Sequence, residues 1–143
     1  MKIFTIIIAL FITSIVLGQS LSIDFKAPLE TDNAETFKAL VNDDNLNACF
    51  DVRDSSYSLL ILSIKGNAIN CFNVLLDKKI DLEKVCTSKT PLMYAVKYGK
   101  LEMVKALARQ GADVKAKTDS GKTALYYAKK YDQNEIEKYL ESL

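Results

Sequence analysis

Among the residues of this chain whose types suit chemistry, three cysteines come first: Cys49, Cys71 and Cys86. After them come a Gly-Lys-Thr triplet at 121–123 and the acidic pairs Asp43-Asp44 and Glu30-Asp32. The cysteines lie 22 and 15 residues apart without a Cys-x-x-Cys, and the 143 residues include no histidine. A tetrahedral zinc site therefore lacks its usual ligands, and a serine or cysteine triad lacks its usual base. The Gly-Lys-Thr follows neither a strand nor the upstream glycine that a phosphate loop needs, so it reads as a hairpin tip. Nothing around the acidic pairs suggests a buried cleft that would drive two carboxyl pKa values apart, and they read as solvated loop charges. The sequence predicts no catalytic residue, no cofactor and no metal.

What remains must be explained by the elements, and these recur. Thr90, Leu92, Ala95, Met103 and Leu107 reappear 33 residues later as Thr123, Leu125, Ala128, Ile136 and Leu140. The same step upstream sets Leu59, Leu62 and Gly66 beneath Leu92, Ala95 and Gly99, after which the offset shortens to 32. A period near 33 over most of the chain predicts a stacked solenoid. Thr90 suits a helix N-cap, Pro91 the first turn, and Gly99 and Gly111 the left-handed positions that end successive helices. Met103, Val104 and Leu107 make the apolar stripe of a second helix with Lys105 and Arg109 outward. Small Ala95 and Ala128 allow neighbouring repeats to approach closely.

With Thr90-Pro91-Leu92, Ala95, Gly99, "LEMVKAL" and "GADV" in this order, the sequence resembles the ankyrin-repeat family from about Ala34 to Leu143. The resemblance implies an all-α solenoid of helix-turn-helix units joined by hairpin loops, with about three helix pairs and an N-terminal capping helix. The family's usual histidine after the Thr-Pro-Leu motif is Met93 here and Tyr126 in the next repeat, and Pro91 becomes Ala124.

The first eighteen residues carry Lys2 and an apolar run from Ile3 to Leu17, and read as a signal peptide cut before Gln19, with Val16 and Gly18 at the recognition positions. Residues 19–31 show no periodicity and read as a flexible lead-in. The repeat domain then covers 32–143: a partial repeat at 32–53 opened by a capping box at Asp32–Glu35, repeats at 54–86 and 87–119, and a C-terminal cap at 120–143 in which Ile136, Tyr139, Leu140 and Leu143 face inward. Export is the expected address, and the lack of an Asn-x-Ser/Thr sequon favours a bacterial envelope over a eukaryotic secretory route, with the periplasm the expected compartment and secretion the alternative. No membrane span is expected once the signal is removed. Cys71 falls beneath Met103 and reads as a small buried residue, while Cys49 and Cys86 occupy similar places in successive loops. A disulfide between those two is open, although stacked repeats usually separate such positions by more than the ~7 Å that Cα atoms allow.

A formal net charge of +1 argues against bulk electrostatic binding of nucleic acid. Charge is nevertheless unevenly placed: residues 19–83 carry 6 basic and 11 acidic residues, net −5, and residues 84–143 carry 12 and 7, net +5. The family resemblance implies that partners bind the concave side. This places Lys89, Lys97 and Tyr98 of the middle repeat and Asp119, Ser120, Lys122, Lys130 and Tyr131 of the last at the candidate surface. Thr87 joins the middle set, and Arg53, Asp54, Ser56, Ile64 and Lys65 are the earlier repeat's counterparts. Such a face predicts a monomeric module that binds a protein with an acidic surface; the alternative is an immunity or inhibitor protein that neutralises a secreted toxin or enzyme.

Overall fold

The computed structural model describes residues 23–143. The expected signal peptide and its cleavage site lie outside the described residues.

Four helix pairs stack in chain order. They are α1 (Ile23–Thr31) with α2 (Ala34–Leu40), α4 (Leu59–Lys65) with α5 (Ile69–Asp77), α6 (Pro91–Lys97) with α7 (Leu101–Arg109), and α8 (Ala124–Lys130) with α9 (Asn134–Glu141). Between the first two pairs lie a single turn, α3 (Asp43–Leu46), and a hairpin whose strands β1 (Cys49–Val52) and β2 (Ser55–Ser58) pair antiparallel, Cys49 opposite Ser58.

The first helices of three pairs begin alike. Ser58, Thr90 and Thr123 turn extended backbone into helix, and each hydroxyl accepts the backbone N–H three residues on, at 3.3, 3.3 and 3.2 Å. That bond satisfies one of the four N–H groups a helix start leaves unpaired. The turn between the helices of each pair holds one residue in the left-handed region: Asp32, Asn67, Gly99 and Asp132, with φ between 51° and 65°. Asparagine and aspartate tolerate that conformation better than other side chains do.

These landmarks correct the phase of the second repeat. Asn67, not Gly66, matches Gly99, and Ser58 matches Thr90, so the offset is 32 throughout that helix pair. Ser63 rather than Leu62 then lies in the close-approach position of Ala95 and Ala128, and all three are fully buried. Ser63 Oγ donates to the Leu60 carbonyl, 2.8 Å away, which removes the cost of burying a hydroxyl. Ile64, expected at the surface, is instead fully buried in the place of Val96.

A second correction concerns the lead-in. Residues 23–31 form α1, and Phe25 and Leu29, one turn apart, bury their side chains. The Phe25 ring meets those of Phe37 and Phe50 edge-on at 5.8 and 5.6 Å, a geometry that favours aromatic pairs beyond the area they bury. The capping helix therefore has a partner, and the described residues hold four pairs rather than three and a lone helix. The cap of α2 is Asn33, which accepts from Thr36 N at 3.0 Å, not Asp32. Asp32 is also no solvated loop charge: its carboxylate accepts from Asn70 N and Cys71 N, both at 2.9 Å, and from Asn70 Nδ2 at 2.8 Å. Because Ala68, where α5 starts, has no side-chain cap of its own, a carboxylate from the preceding pair closes that end.

The same forward reach recurs along the stack. Asn47 Oδ1 accepts from Asp81 N at 2.9 Å, and Glu83 Oε1 accepts from Asp113 N at 2.8 Å. One continuous core runs beneath, with Leu60, Ile64, Phe72, Leu75, Leu92, Met103 and Leu107 almost wholly buried. At the C-terminal end Ile136 is buried and Tyr139 and Leu140 are half-buried as expected, whereas Leu143 lies past the helix and is exposed. No helix among the described residues is long and apolar enough to cross a membrane.

Candidate functional site

The first helices end in lysine: Lys65 closes α4, Lys97 α6 and Lys130 α8. Cations are favoured there because a helix C-terminus carries partial negative charge. Tyrosines occupy the same face. Tyr94 and Tyr98, one turn apart on α6, stack with ring centres 6.3 Å apart and planes 12° apart, and Tyr127 and Tyr131 on α8 repeat both values. Tyr94 and Tyr127 are the inner, buried members, while Tyr98 is exposed and Tyr131 half-buried.

Lysines lie over these rings as rungs. Lys65 Nζ lies 4.1 Å from the Tyr57 ring centre and 5.5 Å from that of Tyr98, and donates to the Tyr98 hydroxyl at 3.2 Å. Lys97 covers Tyr98 at 5.5 Å, Lys122 covers Tyr126 at 5.4 Å and Lys130 covers Tyr131 at 5.6 Å. Lys89 reaches from its loop to Tyr94 of one repeat and Tyr127 of the next. An ammonium over a tyrosine face is attracted by the ring quadrupole. None of these five lysines takes part in an ion pair among the described residues; those pairs use Lys26, Lys105 and Lys129.

The titration of the ladder follows from its crowding. Burial, then the charges of Lys97, Lys122 and Lys130, push Lys89 below the usual lysine value. Lys65 goes the other way. Burial opposes its charge most strongly of any one influence, but the hydrogen bonds and electrostatic attraction of Tyr98 and Tyr57 together outweigh it and raise its pKa.

Of the residues singled out in the sequence, the structure places Lys89, Lys97, Tyr98, Lys122, Lys130 and Tyr131 on this lysine and tyrosine face. Asp119 and Ser120 stay apart at the tip of the 118–122 turn, where Ser120 Oγ meets Thr118 Oγ1 at 3.1 Å and Gly121 takes φ 75°. The ladder also contains Tyr57, Tyr94, Tyr126 and Tyr127, which sequence reasoning did not place. The recurrence of Tyr94 as Tyr127 after 33 residues was the available signal.

Beside the ladder, Cys49 and Cys86 form a disulfide with Cα atoms 5.7 Å apart, inside the reach that stacked repeats were expected to exceed. The hairpin explains the difference. Cys49 opens β1 at the base of the hairpin, and the strand opposite it is tied to the next loop, since Thr87 Oγ1 donates to the Ser56 carbonyl at 2.6 Å. Cys71 is the free thiol. Burial, then the nearby Asp32 carboxylate, push its pKa up to about 12, which leaves little thiolate for reaction. At the end of the ladder Leu29, Val52 and Leu62, rimmed by charges of both signs, Lys26, Arg53 and Lys65 with Glu30 and Asp51, line an open groove of about 880 Å³ between α1, the hairpin and α4.

Residues 81–142 match a family model described as ankyrin repeats, three copies, which spans α6 to α9 with their loops. No curated protein matches the chain.

Proposed function

We propose that this chain, an ankyrin-repeat protein by its residues 81–142 and so a protein-interaction module, is exported and binds a partner protein with an acidic surface through the lysine and tyrosine ladder. The observation that carries the reading is that five lysines crowd one aromatic face without a carboxylate partner among them. Such a face repels itself when free and is relieved by anionic groups, which favours an acidic partner and speeds its approach. Exposed tyrosines add rigid contact area at little entropic cost, as at interface hot spots. The Cys49–Cys86 disulfide supports export, because such bonds persist in oxidising compartments such as the periplasm. No catalytic step is assigned to the chain.

The test is affinity capture from a native envelope extract with the chain and with a variant carrying Lys97→Glu, Lys130→Glu, Tyr98→Ser and Tyr131→Ser. Capture of a defined partner by the first and not the second, at equal helicity, is the expected result. Equal capture by both would remove the ladder as the binding face.

A further inference from the structure

Resting on the reading of the ladder as the binding face, we propose that its occupant is an extended acidic segment of the partner in polyproline II conformation, with a carboxylate at every third residue and an apolar side chain at one end. Lys65, Lys97 and Lys130 hold corresponding places on α4, α6 and α8, and these helices pack side by side in that order. Packed helices lie about 8–10 Å apart, so corresponding residues such as these lysines leave the backbone at about that spacing. Three residues of polyproline II advance about 9.3 Å and complete one turn, which returns every third side chain to the same side. A β-strand covers a similar length in three residues, but its side chains alternate, so the third points away from the face.

An α-helix with acidic residues seven apart also matches the spacing, at about 10.5 Å. It fits the chemistry of the face less well. Helices that dock in grooves bring an apolar stripe and have satisfied carbonyls, whereas the ladder offers ammonium groups with three donors each and tyrosine hydroxyls. A polyproline II segment leaves its carbonyls free to accept from such donors, and its ring-rich faces suit an aromatic surface. At the α4 end Lys65 belongs both to the ladder and to the groove lined by Leu29, Val52 and Leu62. A segment that follows the rungs therefore runs into a groove where Leu29, Val52 and Leu62 favour an apolar side chain and Glu30 and Asp51 disfavour a further carboxylate.

Fluorescence anisotropy with synthetic peptides tests this. The probe is a labelled peptide of about four Glu-Pro-Pro repeats, long enough for the rungs. A comparator of the same composition has its glutamates in one block, a third peptide is helical with glutamate every seventh residue, and a fourth is the repeat peptide with leucine at both ends. At about 0.15 M salt the repeat peptide is expected to bind about tenfold tighter than the block or helical peptide. The terminal leucines should add about a further tenfold. In Val52→Asp, checked for native helicity, the affinity ratio of the leucine peptide to the plain one should fall to about one. Equal affinity for the block or helical peptide overturns the extended segment, and an unchanged ratio in Val52→Asp overturns the apolar end. If the repeat peptide fails while the four-residue ladder variant still loses its captured partner, the binding face stands and this inference falls. If that variant captures normally, the face itself falls first.

Discussion

Lys89 Nζ lies 5.9 Å from the ring centre of Tyr94 and 5.4 Å from that of Tyr127, so one loop ammonium ties the aromatic faces of two successive repeats. Its charge is held against burial and three neighbouring lysines. Lys89→Gln therefore loses two ring contacts and gains relief from repulsion, and chemical denaturation should show a stability change within about 0.5 kcal/mol. Affinity for an acidic partner should nevertheless drop, because binding uses the charged form.

The pH dependence of Lys89 has two signs. Its lowered pKa in the free fold means that its charged form costs stability at neutral pH, and that cost lifts as pH rises through the lowered value toward the ordinary 10.5. Binding behaves oppositely. Affinity for an acidic peptide should be full at neutral pH and begin to fall below pH 10.5, and the early part of that fall should vanish in Lys89→Gln. An identical titration of binding in both proteins would show that Lys89 takes no part.

The Cys49–Cys86 bond closes a loop across a separation of 37 residues. In the chain-entropy account such a loop contributes about 4 kcal/mol, and measured losses on removing native disulfides are about 2–5 kcal/mol. A double Cys49→Ser, Cys86→Ser variant should lose stability in this range by urea denaturation. Intact protein treated with maleimide in native buffer should remain unlabelled, since Cys71 is buried with its pKa at about 12, and should take one label once unfolded without reductant.

Removing the Asp32 carboxylate strips α5 of its cap. Asp32→Ala should cost about 1–3 kcal/mol, from the lost charged acceptor and an alanine held at φ 51°. Asp32→Gly relieves the backbone and keeps only the side-chain loss, so it should lie between alanine and wild type in thermal denaturation.

Gly99 makes a complementary case. At φ 65°, an added Cβ would approach the Gln133 amide at 2.8 Å, so Gly99→Ala should cost about 1–2 kcal/mol. The clash involves the far end of a flexible side chain. Gln133→Ala in the same protein should therefore recover only part of the loss.

How far the fold could be read from the sequence depended on which residues advertise their role. Thr90, Pro91 and Gly99 have types that suit few positions besides caps and turns, and they located α6 to α9. Asn67 does the work of a glycine, and aligning Gly66 with Gly99 put the second repeat out of phase by one residue and brought buried Ile64 to the surface. α1 was hidden because Pro28 lies inside a nine-residue helix, where a proline argues against helix from sequence, and because Phe25 and Leu29 make a short apolar stripe. Most lysines of the ladder were legible from the repeat. Their partners were not, since the recurrence of Tyr94 as Tyr127 does not say that a lysine lies over either ring, and the contact of Lys65 with Tyr98 depends on how neighbouring helices pack. The disulfide was open for the same reason: its reach is set by the hairpin's attachment to the next loop, which no local pattern records.

The forward hydrogen bonds from Asp32, Asn47 and Glu83 give the stack a direction of unravelling. Each places an oxygen on the earlier repeat and an N–H on the later one. If the last repeat peels away, it leaves an oxygen that water readily serves; if the first peels away, it strands amides at the head of the next helix or loop. Fraying should therefore advance from α9 toward α1, with amide exchange fastest at the C-terminal end. A ligand that spans the ladder would then act most on the repeats that open first.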